Sequence, residues 1–308
     1  MKTTCLKTGR LFLLSAIFGF PVILSMAQAA TWYWIGPADN SPTNTAYWNS
    51  TPTSGTGQTM SAAGAVFSAG DIYDTNNGNN MLINGNFPTG LLLLNGNRIA
   101  IRGTRTVTIT NLEAAAATTG ILAYDGYNQS ASVVSKFVVT NLNLAGDIRF
   151  HNQGGSGTQS GARNMTYQIT NVSGSGKFRL TGGLSGGERS TILLSIVDQE
   201  LTNDFTVEGV NVTFQSDITT TGTLTLIGTD LSLNLDTHSL VFSSITDGTQ
   251  TWTTQGAATA AVLNAFFGAE YFTGTGMITI AAVPEPFACA LAVGILAASF
   301  ACLRRRLA

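Results

Sequence analysis

The residue types that most often carry catalysis are few in this 308-residue chain and lie far apart. Its two histidines are His151, in a run rich in Asn, Gln and Gly that predicts a solvated turn, and His238, two residues after Asp236 in an alternating, strand-like run. Either imidazole could act as a general base in an enzyme that cleaves polysaccharides. Solvated surface positions are the simpler interpretation, so neither histidine is assigned a catalytic role.

The acidic side chains offer two further candidates. Asp198 and Glu200 are two residues apart, so on a strand they would share one face and could hold a cation or act as an acid–base pair. Asp71 and Asp74 precede an Asn/Gly-rich run similar to a calcium loop, but counting from Asp74 the EF-hand glycine position holds Asn79 and no glutamate closes the loop. We interpret the first pair as exposed strand acids and the second run as a turn, which predicts no metal site.

The remaining motifs do not point to an enzyme either. Gly183-Leu184-Ser185-Gly186-Gly187 has the letters of a nucleophile elbow, but no helical pattern follows it and His238 is the only histidine downstream, so a flexible turn is predicted. Cysteines occur only at Cys5, Cys289 and Cys302, so the middle of the chain can form neither a disulfide nor a thiolate metal site. The sequence therefore predicts no catalytic residue, no cofactor and no metal.

The composition indicates which secondary structure the chain forms. Apolar residues make up 44% of the chain and charged residues 10%, with 34 glycines and a mean hydropathy of +0.20. These values exclude a disordered chain and favour strands and tight turns over helices. Residues 98–189 hold nine basic and four acidic side chains, but this surplus is spread over 92 residues. A solvated surface is therefore predicted, and no nucleic acid partner.

The N-terminus has the features of a secretory signal peptide, predicted at residues 1–29. Lys2, Lys7 and Arg10 precede an uncharged, mostly apolar run at 11–26, and Ala27-Gln28-Ala29 supplies the small residues that signal peptidase accepts. The alternative is a first transmembrane helix, but the run is short for a bilayer and ends at a cleavage-type triplet. The sequence thus predicts that the protein is exported.

The C-terminus has three parts in a fixed order. The tetrapeptide Val283-Pro284-Glu285-Pro286 comes first and is followed by seventeen uncharged residues at 287–303. Arg304, Arg305 and Arg306 come after them. Seventeen helical residues cover about 25 Å, a marginal but adequate crossing, and the arginines would keep the tip in the cytoplasm. This arrangement resembles the PEP-CTERM sorting signal of Gram-negative and related bacteria.

The resemblance implies processing by an exosortase, a membrane transpeptidase-like enzyme, and delivery to the cell envelope or the extracellular matrix. It divides the chain into a signal peptide at 1–29, an ectodomain at 30–282 and a sorting signal with a single transmembrane helix at 283–308. An ordinary single-pass anchor with a proline-rich collar is the alternative.

The ectodomain shows short runs of period-2 alternation bounded by Gly, Asn and Asp, and only residues 257–267 predict a short helix. Ile109-Thr110-Asn111-Leu112 recurs at intervals of thirty residues as Val139-Thr140-Asn141-Leu142 and Ile169-Thr170-Asn171-Val172, each closing a strand-like run. Residues 146–150 also superpose on 176–180. A period of thirty fits one coil of a parallel β-helix, in which the three asparagines would form a ladder. A β-sandwich or jelly roll is the alternative.

A second resemblance supports the β-helix. The tryptophan-rich start at 31–36 and 47–49, and the Gly-led alternating runs at 173–182 and 222–226, are similar to the passenger-type β-helix repeats of autotransporters and adhesins. The tryptophans are predicted to cover the open end of the first coil rather than to stack on sugars.

These observations predict an all-β, secreted protein that is first anchored in the inner membrane and then belongs to the cell envelope or is extracellular. Its predicted role is structural or adhesive, without enzyme activity. Its predicted partners are an exosortase, the membrane through the C-terminal helix and, as a further candidate, extracellular polysaccharide. A polysaccharide-binding module would instead present a row of exposed aromatics along one flank, and a polysaccharide-active enzyme would bring acids from separate coils together in a groove.

Overall fold

The computed structural model describes residues 29–52, 57–75, 80–125, 134–153, 163–185, 188–197 and 200–281. The predicted sorting signal, and all but the last residue of the predicted signal peptide, lie outside these ranges. Across the ranges that are described, no helix is long and apolar enough to cross a bilayer. The predicted span at 287–303 is not among them, so it stays a prediction.

The described chain is all-β, with a 3-10 turn at Thr45–Tyr47 and one α-helix. The elements are β1 (Thr31–Trp34), β2 (Trp48–Asn49), β3 (Ile72–Asp74), β4 (Met81–Leu82), β5 (Leu91–Leu94), β6 (Arg98–Ile101), β7 (Thr106–Ala114), β8 (Thr119–Tyr124), β9 (Val134–Leu144), β10 (Asp147–Asn152), β11 (Asn164–Gly174), β12 (Phe178–Gly182), β13 (Leu184–Ser185), β14 (Glu188–Arg189), β15 (Thr191–Ile196), β16 (Phe205–Glu208), β17 (Asn211–Phe214), β18 (Ile218–Thr219), β19 (Thr223–Ile227), β20 (Ser232–Asn234), β21 (Ser239–Phe242), β22 (Ser244–Thr246), β23 (Thr251–Trp252), β24 (Gly256–Thr259), α1 (Ala260–Phe267), β25 (Phe272–Thr273) and β26 (Met277–Ile280).

Most strands belong to two long sheets whose neighbours are parallel, except for the antiparallel pairs β1–β2 and β22–β23 at one end of each sheet. The 11-stranded sheet has the order β2-β1-β3-β5-β7-β9-β11-β15-β17-β20-β25, and the 9-stranded sheet has the order β23-β22-β19-β16-β12-β10-β8-β6-β4. From β3 to β12 the chain enters the two sheets alternately, so each passage adds one strand to each sheet. This arrangement is compatible with the predicted β-helix, and it differs from the antiparallel sheets of a sandwich or jelly roll.

The predicted thirty-residue register is confirmed in the middle of the chain. Strands β10 and β12 pair so that Ile148 lies beside Phe178 and Phe150 beside Leu180. All four side chains are fully buried, as period-2 alternation requires of residues that face the core.

The offset between paired strands is not constant elsewhere. Leu91 pairs with Asn111, an offset of 20 residues, and Phe205 pairs with Leu224, an offset of 19. Between β12 and β16 the offset is 27, since Phe178 pairs with Phe205. The strands keep their pairing while the connections between them change length, so the sequence repeat is visible only where neighbouring connections match.

Aromatic rings form a continuous series through the core. Tyr167 stacks on Phe137 with ring centroids 5.9 Å apart and on Phe150 at 4.4 Å. Phe150 contacts Phe178 at 5.9 Å, and Phe178 stacks on Phe205 at 4.7 Å. Because Tyr167 belongs to the 11-stranded sheet and Phe150 to the 9-stranded sheet, their contact joins the two sheets.

The N-terminal end of the stack is closed by aromatic residues. Trp34 and Trp48 are fully buried, lie edge to face at 5.4 Å, and Trp48 continues the cluster to Tyr73 at 5.4 Å. The indole of Trp48 donates a hydrogen bond to the carbonyl of Pro42 at 2.8 Å. Trp34 and Trp48 are therefore core side chains at this edge of the 11-stranded sheet and not exposed rings.

The C-terminal end is closed by α1 and short antiparallel strands. The hydroxyl of Thr259 caps the helix by accepting from the backbone of Val262, and Gly268 ends it in the left-handed conformation. The predicted helix at 257–267 thus begins later, because Gly256–Thr259 pairs with β26 as a strand. The outermost strands of both long sheets, β2, β25, β23 and β4, have two residues each.

Candidate functional site

The repeated Thr-Asn motif lies inside the long strands β7, β9 and β11, and not at their ends as the sequence suggested. In β9 the buried Val139 is followed by two outward residues, Thr140 and Asn141, before Leu142 is buried again. The same shift occurs at Asn111 of β7. Strands β7 and β9 therefore continue beyond the motif with their alternation moved by one residue, whereas the residues of β11 after the motif are half-buried or exposed.

The three asparagines form the predicted ladder. Nδ2 of Asn141 donates to Oδ1 of Asn111 at 2.8 Å, and Nδ2 of Asn171 donates to Oδ1 of Asn141 at 2.8 Å. Asn141, the middle rung, takes part in both hydrogen bonds, whereas Asn111 and Asn171 take part in one each. The ladder thus links three successive strands of the 11-stranded sheet through side chains as well as backbone.

A second polar row runs beside the ladder. Nδ2 of Asn143 donates to Oε2 of Glu113 at 2.8 Å, and the hydroxyl of Ser173 donates to Oδ1 of Asn143 at 3.3 Å. A groove of about 400 Å³ follows these rows and becomes apolar at Leu91 and Ile72. The amides could bind hydroxyl groups, but their rung-to-rung bonds already use much of their capacity, so we interpret the ladder as structural.

Replacing Asn141 with alanine is expected to lower the free energy of unfolding by about 1–2 kcal/mol, because two rung bonds are lost at about 1 kcal/mol each. Asn111→Ala loses one such bond and is expected to cost about half as much. Thermal unfolding of both variants measures the difference. Equal and negligible losses would show that the ladder adds nothing to stability.

His151 lies in strand β10, so the predicted turn was wrong. Its half-buried side chain places Nδ1 2.8 Å from Oγ1 of Thr181. Burial, followed by the positive charges of Arg149 and Arg98, lowers the pKa of His151 to about 4. A base that weak is poorly suited to proton transfer near neutral pH. The histidine is instead a neutral hydrogen-bonding group on the outer face of the 9-stranded sheet.

His238 lies just before β21 rather than within a strand. Its Nδ1 is 3.2 Å from Oδ1 of Asp217, which also accepts from the backbone N–H of Ser239 at 2.9 Å. The Ser239 hydrogen bond, with His238 adding to it, holds the pKa of Asp217 below its usual value. Asp236, with φ of 50°, forms the turn that precedes His238. The pair fastens this turn to the neighbouring coil.

The acidic candidates serve other roles or lie outside the described residues. Asp71 accepts hydrogen bonds from the backbone of Ala30 at 3.0 Å and the indole of Trp32 at 3.2 Å, so it holds the first strand. Asp74 is buried. Glu200 is exposed and lies outside any strand, so the strand position predicted for Glu200 was wrong. Asp198 and residues 76–79 lie outside the described ranges.

Two acids from separate coils do come together, but around an arginine. The guanidinium of Arg102 lies 2.6 Å from Asp125 and 3.9 Å from Asp39. Its charge compensates both carboxylates. Among the described residues, no group of three or more His, Cys, Asp or Glu side chains is placed to hold a metal ion.

The described part of the Gly-rich nucleophile-elbow candidate contributes one strand to a short antiparallel pair. Strands β13 and β14 pair through Leu184 with Arg189 and Ser185 with Glu188. A nucleophile elbow requires a strand, a sharp turn and a helix, and α1 lies far along the chain. The motif therefore lacks the local structure that the chemistry needs.

Sequence reasoning found only part of one grouping on the outer face of the 9-stranded sheet. Arg149 of β10 pairs with Arg179 of β12. Arg98 of β6 lies two strands away from Arg149 in the same row of paired residues. The thirty-residue repeat predicts the pairing of Arg149 with Arg179, which is confirmed. Arg98 could not be found, because it is connected through Ile121 by offsets of 23 and 28 residues.

Comparisons of the chain with protein families, curated proteins and solved structures found no match.

Proposed function

We propose that this chain is a parallel β-helix that is exported and carried to the cell envelope or matrix by a PEP-CTERM signal, where its role is structural or adhesive. The main observation behind this proposal is the order of three features after the ectodomain: the Val283 to Pro286 motif, an apolar stretch and three arginines. The alternating passage of the chain between two parallel sheets supports the β-helix. An exosortase is the proposed partner that cuts the tail.

The packing favours a structural role over catalysis. The large aromatic side chains are used to fill the stack and close its ends, and the polar rows are bonded to each other along it. An enzyme acting on polysaccharide would need two carboxylates available in a groove. Asp39 and Asp125, which do meet, have Arg102 between them.

The sorting function is tested by changing Pro284, Glu285 and Pro286 to alanine together. Each proline fixes its own φ and restricts the residue before it, which favours the extended backbone that a peptide needs to enter a protease-like cleft. We expect the variant to insert in the membrane normally but to keep its tail. Intact-mass measurement of protein from the native host shows whether the tail is removed.

The control is the unchanged chain in a host that lacks exosortase, where it is also expected to keep its tail. Mature protein from the native host that still carried Arg304, Arg305 and Arg306 would contradict the proposal. A permanent membrane anchor would then replace it, since an anchor needs only the helix and its arginines.

A further inference from the structure

Three arginines share one outward column on the 9-stranded sheet. Arg98 pairs with Ile121, Ile121 with Arg149, and Arg149 with Arg179. We call Arg98, Arg149 and Arg179 the arginine column. Neighbouring strands are about 4.8 Å apart, so Arg149 and Arg179 are separated by about one such step and Arg98 and Arg149 by two. The backbone positions of the three arginines therefore lie in a line along the stacking axis, and the guanidinium of Arg98 also donates to Oε1 of Gln153 at 2.9 Å.

The side chain of Arg149 is held in place by its neighbours. Its Nε donates to Oγ1 of Thr181 at 2.7 Å, and the same oxygen lies 2.8 Å from Nδ1 of His151. Because arginine only donates, the hydroxyl proton of Thr181 is free to bond the imidazole. Both terminal amino groups of Arg149 stay without a hydrogen-bond partner among the described residues. A guanidinium fixed in this way presents its two-pronged edge to a ligand.

Two nearby basic residues are already in ion pairs, whereas Arg149 and Arg179 of the column are not. Arg102 pairs with Asp125 at 2.6 Å, and Lys177 pairs with Asp204 at 3.1 Å. Neither Arg149 nor Arg179 forms an ion pair with any residue in the described ranges. Within residues 30–282 every lysine and arginine lies between Arg98 and Arg189, so the positive charge of this part of the chain is confined to its middle.

We propose that the arginine column binds a linear, carboxylate-bearing polysaccharide that lies along the stacking axis. Guanidinium and carboxylate groups match in planar, two-pronged geometry, which favours carboxylates as the ligand groups. The column continues from Arg179 to Thr206 and Thr225, whose half-buried hydroxyls can bond sugar hydroxyl groups. Ile121, between two arginines, offers an apolar contact for a sugar ring.

A single-stranded nucleic acid fits this surface less well. Such ligands are usually held by exposed aromatic rings on which the bases stack. Among the described residues no aromatic side chain is exposed, and the exposed large apolar side chains are aliphatic residues and one methionine. The row of aromatics expected of a polysaccharide-binding module is therefore not found there either, and the proposed polysaccharide is held through its carboxylates instead. The inference rests on the proposed function in one respect: the protein must be outside the cell, where acidic polysaccharide occurs. Binding by purified protein does not depend on how the chain is sorted.

The test measures binding of polygalacturonate to the purified full chain in detergent, at about 50 mM salt to limit screening. The variant combines Arg149→Gln with Arg179→Gln, and the charge-matched control combines Arg105→Gln with Lys136→Gln, two basic residues outside the column. We expect the column variant to bind about ten-fold more weakly or worse, and the control within about two-fold of the unchanged chain. Neutral dextran is expected not to bind.

A second variant keeps the charge but removes the two-pronged geometry. Arg149→Lys with Arg179→Lys is expected to bind about three-fold more weakly, so the proposal stays testable if the glutamine variant does not fold. Equal weakening by the column variant and the control would reduce the effect to net charge and overturn the proposal. So would absent binding of polygalacturonate, or equally tight, column-dependent binding of single-stranded DNA. Normal tail removal with no polymer binding would reject this inference and leave the sorting proposal standing.

Discussion

Replacing Phe150 with alanine is expected to lower the free energy of unfolding by about 3–5 kcal/mol. The ring is fully buried and contacts Tyr167 at 4.4 Å and Phe178 at 5.9 Å. Truncation would remove both contacts and leave a cavity where the two sheets meet, and paired strands on either side could not collapse into it without losing their register.

Phe150→Leu is the matched control, because it keeps most of the apolar volume and is expected to cost about 1 kcal/mol. Denaturant unfolding of the two variants and the unchanged chain compares the losses. If Phe150→Ala lost no more stability than Phe150→Leu, the stacked contact with Tyr167 would not join the sheets as described.

Replacing Gly176 with alanine is expected to cost about 3 kcal/mol. A Cβ at this position would overlap the carbonyl oxygen of Gly146 in the preceding coil, and backbone atoms cannot rotate away as a side chain can. Gly146 is in the same situation against the carbonyl of Ala115, and Gly222 against that of Asn203. Gly176 is not in the left-handed region, so the requirement is for space and not for conformation.

Gly85→Ala is the control for this substitution. No atom lies within 4 Å of a Cβ built there, and its φ is not positive, so stability is expected to change by less than about 1 kcal/mol. Thermal unfolding of both variants is sufficient. Similar midpoints for Gly176→Ala and Gly85→Ala would mean that the coils can separate at this corner without penalty.

The repeat in the sequence was enough to predict the pairing of Ile148 with Phe178 and the Asn111–Asn141–Asn171 ladder. Both follow from local rules, since equal spacing places equal residues side by side and stacked amides bond along the axis. The sequence also displayed Gly146 and Gly176 at equal positions. It could not show why they are glycine, because the reason is the approach of two backbones from separate coils.

Features that depend on variable connections could not be predicted. The period falls to about twenty residues at Leu91 and Leu224, so no fixed offset could have placed Arg98 above Arg149. His151 was assigned to a turn because Gly-rich residues follow it, but pairing with Ala123 and Thr181 on both sides extends the strand through it. Neighbouring strands overrode the local signal.

The two-residue outermost strands set how this protein behaves at high concentration. A long, unpaired parallel strand at the end of a stack would offer a full row of backbone donors and acceptors on which a second molecule could grow. Strands β2, β25, β23 and β4 offer two residues each, and at the C-terminal end α1 and antiparallel strands stand beside them. Purified protein should therefore remain as discrete particles of defined length, without seeding fibres, even at high concentration.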